Sequence, residues 1–189
     1  ALYAHVNQAE GFRNALFKNA RSWAEALAEL PENARDDFSQ NVVFEQLVLE
    51  ERHDSAIDGA SKLIFRTADG HLIESVVLRP QTGRTSICIS SQVGCACYCS
   101  FCATGKMGFT RNLTSAEMLD QVSQANRMVK PEGRTIRNVV FMGMGEPMLN
   151  FKPVIESAKI MKDQMGYGLS RKRITISTSG ITPVSYTHL

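Results

Sequence analysis

The stretch Asn138-Val-Val-Phe-Met-Gly-Met-Gly-Glu-Pro147 joins an apolar run to a loop that contains two glycines. The run from Asn138 to Met142 favours a strand that is buried on both faces, as in a parallel sheet covered by helices. A helix is predicted after the loop, from about Pro153 to Met165. A strand, a loop and a helix in this order form the repeating unit of an α/β protein.

Similar units stand on both sides of this stretch. Ser86–Ser90 is predicted to be a short strand, and Thr114-Ser-Ala-Glu117 is a capping box that opens a helix to about Val129. The third predicted strand is Arg173–Ser179. Strands that alternate with helices form a parallel sheet or barrel, whose active sites gather at the carboxyl ends of the strands. The loops at those ends are residues 95–102, 143–147 and 177–180.

The chain before residue 85 has a different pattern. A helix is predicted over Ala20–Leu30, which ends before Pro31. Strands are predicted over Val42–Leu49, Lys62–Arg66 and Leu72–Leu78, and the last two form a hairpin around residues 69 and 70. A shift in composition near residue 60 predicts a domain boundary there, between residues 1–60 and residues 61–184.

Residues Cys95-Ala-Cys-Tyr-Cys-Ser-Phe-Cys102 contain three cysteines in the spacing CxxxCxxC, at positions 95, 99 and 102. Three thiolates can hold an iron–sulfur cluster and leave one iron open to a small molecule, for which S-adenosylmethionine (SAM) is the obvious candidate. Cys97 keeps a structural zinc site as an alternative, although zinc ligands usually form two pairs separated by a longer stretch of chain. Disulfides are a weaker alternative, because cysteines this close cannot all reach bonding geometry.

Length and composition are those of a soluble cytoplasmic protein of one or two domains, with 189 residues of which 43% are hydrophobic and 21% charged. The sequence contains no signal peptide and no apolar span long enough for a membrane. Residues 1–60 hold 5 basic and 11 acidic side chains, whereas residues 61–189 hold 16 and 8. The basic second part is compatible with a nucleic-acid substrate.

Five segments resemble one known family when they are taken together and in order: residues 88–95, 99–105, 108–114, 138–147 and 177–181. The chain resembles the radical-SAM RNA methyltransferases that methylate carbon 2 of adenosine, the RlmN type. The resemblance implies an α/β fold, with about three of the six strands of a parallel (β/α) radical-SAM barrel after a small helical and β accessory domain. It also implies 23S ribosomal RNA as substrate and, in many members, transfer RNA.

The resemblance implies the following cofactor site. Cys95, Cys99 and Cys102 hold a 4Fe-4S cluster, whose free iron binds the amino and carboxylate groups of SAM. Gly145 and Glu146 match the loop that contacts SAM, and Ser177 matches a SAM-binding position in the third strand. An electron donor such as flavodoxin reduces the cluster, and the enzyme acts as a monomer.

The resemblance also implies roles for Cys88 and Glu74. In the family, a cysteine first carries a methyl group, which is then joined to carbon 2 of adenine in a covalent adduct of protein and RNA. Cys88 occupies the place of the cysteine that releases this adduct by forming a disulfide with the methyl-carrying one. Glu74 corresponds to the acid that accepts the proton of carbon 2. The residues alone indicate only a buried strand thiol and a solvated carboxylate.

The chain departs from the family at its end. The methyl-carrying cysteine has no counterpart after Cys102, and residues 185–189 lack the resemblance and are expected to be a non-native tail. We therefore expect a fragment of a longer protein, inactive by itself. Cys97 matches no ligand position, and Phe101 is expected to pack over the cluster.

Two other functions stay open on the sequence. Cfr-type methyltransferases, which modify carbon 8 of adenosine, share several motifs, but Pro147 and Ser179 stand where they typically have alanine and isoleucine. The other alternative is a non-catalytic iron–sulfur or zinc module that binds RNA. Lys106, Arg111 and residues 171–173 are candidate RNA contacts, although solvated surface charge explains them equally well.

Overall fold

The structure is a computed structural model that describes residues 10–43 and 45–181. The strands are β1 (Leu47–Asp54), β2 (Ser61–Thr67), β3 (Leu72–Leu78), β4 (Thr85–Cys88), β5 (Gln92–Gly94), β6 (Phe109–Asn112), β7 (Ile136–Phe141) and β8 (Ile174–Ile176). The α-helices that are bounded within the described residues are α1 (Trp23–Leu27), α2 (Glu32–Asn41), α3 (Ala103–Lys106), α4 (Ser115–Val129) and α5 (Phe151–Lys162). Short 3-10 turns cover Lys130–Glu132, Pro147–Asn150 and Arg171–Arg173.

Six of the strands form one sheet in the order β1-β2-β3-β4-β7-β8. Neighbours from β1 to β4 are antiparallel, whereas β4, β7 and β8 are parallel. The three predicted parallel strands and the hairpin at residues 69 and 70 are therefore confirmed. The expected carboxyl-end loops indeed follow β4, β7 and β8 at one edge of the sheet.

Helices cover one face of the sheet. Ile87, Val139 and Phe141 are at most 1% exposed and belong to the same apolar cluster as Val122 of α4 and Val154 of α5. Burial on both faces, as predicted for residues 138–142, is wrong: Val140 is half-buried and Met142 is 63% exposed. One face of the parallel strands therefore stays uncovered by the described residues.

The capping box predicted for α4 is present and closes the helix start. The Glu117 backbone N–H donates to the Thr114 hydroxyl at 3.1 Å, and the Thr114 N–H donates to the Glu117 carboxylate at 2.8 Å. The two contacts satisfy backbone donors that the first helical turn leaves without an intrahelical acceptor.

The region before β2 departs from the predicted boundaries. The predicted strand from Val42 is wrong at its start, because Val42 is the C-cap of α2 and β1 begins only at Leu47. The predicted helix Ala20–Leu30 is shorter, since Ser22 caps α1 and that helix ends at Leu27. The structure pairs β1 with β2 along their length, so one sheet continues across the predicted boundary near residue 60. The predicted tail at 185–189 lies outside the described residues.

A smaller apolar cluster lies among the first helices. Phe12, Ala15, Leu16 and Ala26 are buried there. The Phe12 ring packs edge-on against Trp23, at 5.7 Å between ring centroids. This cluster is separate from the main core under the sheet. None of the described helices has the length and apolar character needed to cross a membrane.

Candidate active site

The loops after β4 and β7 are joined by backbone hydrogen bonds. The Ser91 N–H donates to the Met144 carbonyl at 2.8 Å, and the Gly143 N–H donates to the Ile89 carbonyl at 3.0 Å. The Met144 N–H donates to the Ser90 hydroxyl at 2.8 Å. The chain that leads into the cysteines is therefore fixed against residues 143–147, the loop that we call the glycine loop.

Gln92 is the side chain that seats this glycine loop. It is 1% exposed, its Oε1 accepts from the Glu146 N–H at 2.8 Å, and its Nε2 donates to Asn112 Oδ1 at 2.8 Å. Gly145 lies against it with φ +98°, and a Cβ atom at Gly145 would lie 2.5 Å from the Gln92 Cβ. Only a residue without a side chain fits this approach. Sequence reasoning assigned no role to Gln92. A signal for such a role was its polar amide side chain, since the residues around it are buried.

Glu146 connects the loop after β7 to the loop after β8. Its Oε1 accepts from the Thr178 hydroxyl at 2.7 Å and from the Met148 N–H at 2.8 Å. Its Oε2 accepts from the Ser179 N–H at 2.7 Å and from the Ser179 hydroxyl at 2.9 Å. Burial opposes ionisation of this carboxyl, but the donated hydrogen bonds outweigh it and lower the pKa of Glu146.

Replacing Glu146 with glutamine is expected to lower the free energy of unfolding by about 1–3 kcal/mol, because an amide group cannot accept from donors at both positions. Urea unfolding at pH 7 measures the change. The lowered pKa stabilises the fold fully above the unfolded pKa of about 4.3, and this contribution disappears as pH falls through the folded pKa. The difference between wild type and variant should therefore shrink below about pH 4.

The matched control for this prediction is Glu156→Gln. Glu156 is exposed on α5, and its replacement should change the free energy of unfolding by less than about 0.5 kcal/mol. Equal losses in the two variants would contradict the role given to Glu146 as the connector of the two loops.

The cysteine loop is held at its base by β5 and β6. The Cys95 N–H donates to the Gly108 carbonyl at 2.9 Å, and Gly94 pairs with Phe109. Within the loop, the Cys102 N–H donates to the Cys99 carbonyl at 3.0 Å. The three cysteines of the CxxxCxxC spacing therefore lie in one short loop at the carboxyl end of β4, beside the glycine loop.

The thiols of this loop differ in their surroundings. Burial raises the pKa of the Cys95 thiol. The backbone N–H of Gly105, with that of Thr104, stabilises the Cys102 thiolate and lowers its pKa. Ser179 Oγ lies 3.5 Å from Cys97 Sγ, so the loop after β8 also contacts the cysteine loop.

The donor chemistry of the loop fits an iron–sulfur cluster. All of its metal-binding side chains are thiols, the ligands that hold such clusters. Within the described ranges, no three His, Cys, Asp or Glu side chains gather closely enough to hold a single ion. The ligands of a cluster lie farther apart than those of a single ion, because each thiolate binds a different iron atom.

Cys88 and Glu74 lie on the face of the sheet that the described helices leave uncovered. Cys88 pairs with Val76 on β3 and with Val140 on β7, so these three side chains share one face. Glu74 is on the same face, because it lies two residues before Val76 in the same strand. We call this surface, defined by Glu74, Val76, Cys88 and Val140, the open face.

The environments of these two residues differ. Burial raises the pKa of the Cys88 thiol, which keeps it protonated at neutral pH. Glu74 is exposed, and Lys62 Nζ lies 3.5 Å from its Oε1. Ser177 is exposed directly after β8. Thr178 and Ser179, rather than Ser177, make the contacts to Glu146.

The structure changes the interpretation of two other residues. Arg111 binds Asp69 with two hydrogen bonds of 2.7 Å and also donates to Glu117 at 2.8 and 3.0 Å. Because its guanidinium is occupied in this way, Arg111 connects the β2–β3 turn to α4 and is not a free RNA contact. Phe101 is 91% exposed among the described residues, and its packing over a cluster stays a prediction.

Comparisons with known proteins agree with this arrangement. The sequence profile of the Radical SAM superfamily matches residues 89–186, about half of the chain. A solved structure of a radical SAM methyltransferase from Sphaerobacter thermophilus has a TM-score of 0.86 and 38% identity, covering 92% of this chain and 51% of that one. The fold similarity therefore extends over most of the chain and not only over the cysteine loop.

Three curated relatives are also similar. A probable RNA methyltransferase of Rhodopirellula baltica is 44% identical over 169 residues, which are 89% of this chain and 43% of that protein. The dual-specificity RNA methyltransferase RlmN of Pseudomonas putida is 50% identical over 135 residues, which are 69% of this chain and 35% of that protein. The RlmN of Syntrophobacter fumaroxidans is 41% identical over 172 residues (91% and 49%).

The chain spans half or less of the length of these curated relatives. The profile match, the shared fold and the thiol-only loop at the carboxyl end of β4 all point to the same family. The chain belongs to the Radical SAM superfamily and, within it, is similar to the RNA methyltransferases of the RlmN type.

Proposed function

We propose that the chain is part of a SAM-dependent enzyme that methylates carbon 2 of adenosine in 23S ribosomal RNA, and also in transfer RNA. The observation that carries the proposal is the pairing of Cys88 with Val76, which puts the Cys88 thiol and Glu74 on the open face. The thiol-only loop lies at the carboxyl end of the same strand as Cys88. A thiol and a carboxylate beside a radical-generating site are two of the groups that this reaction requires.

In this proposal, Cys95, Cys99 and Cys102 hold a 4Fe-4S cluster. When bound, the cluster and SAM supply the one-electron chemistry that a closed-shell methyl transfer cannot provide. An electron donor such as flavodoxin supplies the electron. The chain itself supplies position: β5 and β6 fix the base of the cysteine loop, and Gln92 fixes the glycine loop beside it.

The SAM contacts are assigned to Gly145, Glu146 and Ser177. The missing side chain at Gly145 lets a ligand approach the backbone, and Ser177 has an exposed hydroxyl. A carboxylate offers about four acceptor positions, and Glu146 already uses four. It can therefore accept from an ammonium group only in exchange for one of its present donors.

Glu74 and Cys88, which lie on the open face, are assigned to the steps that follow the joining of the methyl carbon to adenine. Glu74 accepts the proton that carbon 2 of adenine loses; its carboxylate is exposed on the open face, with Lys62 Nζ 3.5 Å from its Oε1. The Cys88 thiolate attacks the sulfur of the methyl-carrying cysteine in the adduct, and the S–C bond to the bridging carbon breaks as the disulfide forms. The electron pair of that bond stays on the carbon, which takes up a proton and becomes the methyl group of the product. Because burial raises the pKa of Cys88, a base must remove its proton before the attack.

A chimera tests the substrate assignment. The chain replaces the matching segment of the Pseudomonas putida relative, and nucleosides from RNA of a host without its own enzyme are analysed by mass spectrometry. We expect 2-methyladenosine with the chimera and none with its Cys88→Ala variant. Finding 8-methyladenosine would support the Cfr-type reaction instead. A chimera that takes up the cluster but forms neither product would support a non-catalytic RNA-binding module.

A further inference from the structure

Arginines line the edge of the sheet that is opposite to the candidate active site. Arg84 directly precedes β4, Arg134 and Arg137 lie at the start of β7, and Arg173 directly precedes β8. These are the amino ends of the three parallel strands, whereas the cysteine and glycine loops follow their carboxyl ends. With a rise of about 3.3 Å per residue along β7, the two edges are roughly 17–20 Å apart.

A break in the register turns one of these arginines outward. Thr85 pairs with Ile136 but Ser86 pairs with Asn138, so Arg137 is an extra residue in β7. Such a bulge changes the direction of the side chain that it contains. Arg137 is accordingly exposed between buried Ile136 and half-buried Asn138.

Three adjoining cavities join these arginines into one surface. Their volumes are about 440, 310 and 250 Å³, and Thr135 lines all three. Arg134 is shared by the first two cavities, and Arg137 by the last two. We call this surface the basic groove, and its cationic residues are Lys18, Arg21, Arg84, Lys130, Arg134, Arg137 and Arg173. Arg21 is paired with Glu29 at 2.9 Å.

The charges of the basic groove are only partly balanced. Glu132 lies 3.8 Å from Arg134, but its two oxygens accept the close hydrogen bonds of Arg79, at 2.7 and 2.8 Å. The side chains of Arg84 and Arg137 make no hydrogen bond or ion pair with the part of the chain that the structure describes. Glu25 interacts with Lys130 and thereby reduces the net positive charge at that end of the groove. Like charges left side by side favour binding of an anion with several charges.

We propose that the basic groove binds the phosphate backbone of the RNA substrate, on the side of the sheet away from the reaction. The anionic character of the ligand follows from the charges, and its identity as RNA rests on the proposed function. A groove spread over three open cavities fits a chain of phosphates better than one nucleotide. The exposed Thr135 can donate its hydroxyl to phosphate oxygens, as Ser and Thr commonly do. The groove thus holds the RNA without reading its bases.

The test measures binding of a fluorescein-labelled folded RNA hairpin to the full 189-residue chain by anisotropy, at several salt concentrations. The triple variant Arg84→Ala, Arg137→Ala, Arg173→Ala should weaken binding at least about tenfold at 0.1 M salt. The slope of log affinity against log salt should fall by about 2–3, since each of the three lost phosphate contacts removes about 0.7–0.9. An unchanged slope overturns the proposal.

Two control variants separate charge from structure. The same three positions changed to lysine keep the charge and should keep the slope, so an equal loss with lysine would overturn the proposal. Lys152→Ala removes an exposed cation at the start of α5, at the opposite edge, and should change the slope far less than the triple alanine variant. A comparable change would mean unspecific attraction and would also overturn it.

Competition identifies the kind of anion. Heparin should displace the hairpin, whereas ATP and polyglutamate should not at similar charge concentration. Displacement by ATP would indicate a nucleotide site, displacement by polyglutamate an acidic protein partner, and either result overturns the proposal.

EPR spectra with and without SAM distinguish a failure of this proposal from a failure of the proposed function. After reconstitution with iron and sulfide, the triple alanine variant should show the same EPR change on adding SAM as wild type. A SAM response without RNA affinity at 0.1 M salt overturns the basic groove and leaves the function standing. RNA affinity that depends on the three arginines, without a SAM response, supports the groove and contradicts the enzyme.

Discussion

Replacing Cys99 with alanine is expected to abolish the EPR change that SAM causes in the anaerobically reconstituted protein. The reason is that an open-iron cluster needs all three thiolates of the CxxxCxxC spacing, and Cys99 is the middle one. The measurement is the EPR spectrum of the reduced protein with and without SAM, together with its iron and sulfide content. Wild type should bind about four irons per chain, and the variant should lose most of them.

Cys97→Ala is the matched control, because Cys97 is a half-buried thiol of the same loop, two residues away. Its Sγ lies 3.5 Å from Ser179 Oγ and contacts the Cys95 thiol, but Cys97 is outside the CxxxCxxC spacing, so its loss should leave the cluster and the SAM response unchanged. If Cys97→Ala removes the metal as completely as Cys99→Ala, four thiolates hold it. The site would then be closed, as in a structural zinc site or an electron-carrying cluster, and SAM chemistry would be excluded.

Gly94→Ala should have the largest effect on stability, about 3–5 kcal/mol less free energy of unfolding. A Cβ atom at Gly94 would lie 1.8 Å from the Gly108 carbonyl oxygen, and the backbone there has φ +73°. The substitution therefore adds a steric clash to the strain of a left-handed residue. The clash falls on the acceptor of the Cys95 N–H, so the start of the cysteine loop must shift. Urea unfolding measures the loss, and iron uptake should fall with it.

Gly108→Ala controls for the backbone strain alone. Its φ is +75°, nearly that of Gly94, but no heavy atom of the described residues lies within 4 Å of its ideal Cβ position. We expect a loss of only about 1–2 kcal/mol. Similar losses for the two variants would show that the conformation, and not the close approach of β5 to β6, determines the cost.

Local signals were enough to predict the parallel part of the fold. The apolar run before Gly143, the capping box at Thr114 and the order of strands and helices all depend on residues near one another in sequence. The structure confirms these elements within a few residues. The spacing of the three cysteines likewise predicts a cluster site, because all of its proposed ligands lie within one loop.

Other features depend on pairs that are distant in sequence. Gln92 meets Glu146, and Arg111 meets Asp69, over 54 and 42 positions. No periodicity reports such contacts, so the sequence left Gln92 without a role and made Arg111 one of several candidate RNA contacts. The pairing of β1 with β2 was hidden for a different reason, since the composition changes near residue 60 although the ladder continues.

Successive side chains along β4 point to opposite faces of the sheet, so the number of residues in the strand determines which face each side chain occupies. Ile87 faces the helices and Cys88 faces the open side. Deleting or inserting one residue within β4 would exchange the two, sending the thiol into the core and an isoleucine outward. The turn at residues 79–84 lies outside the ladder, so changes of length there need not alter this choice. Length variation among homologues should therefore accumulate in that turn, while single-residue gaps inside β4 are eliminated.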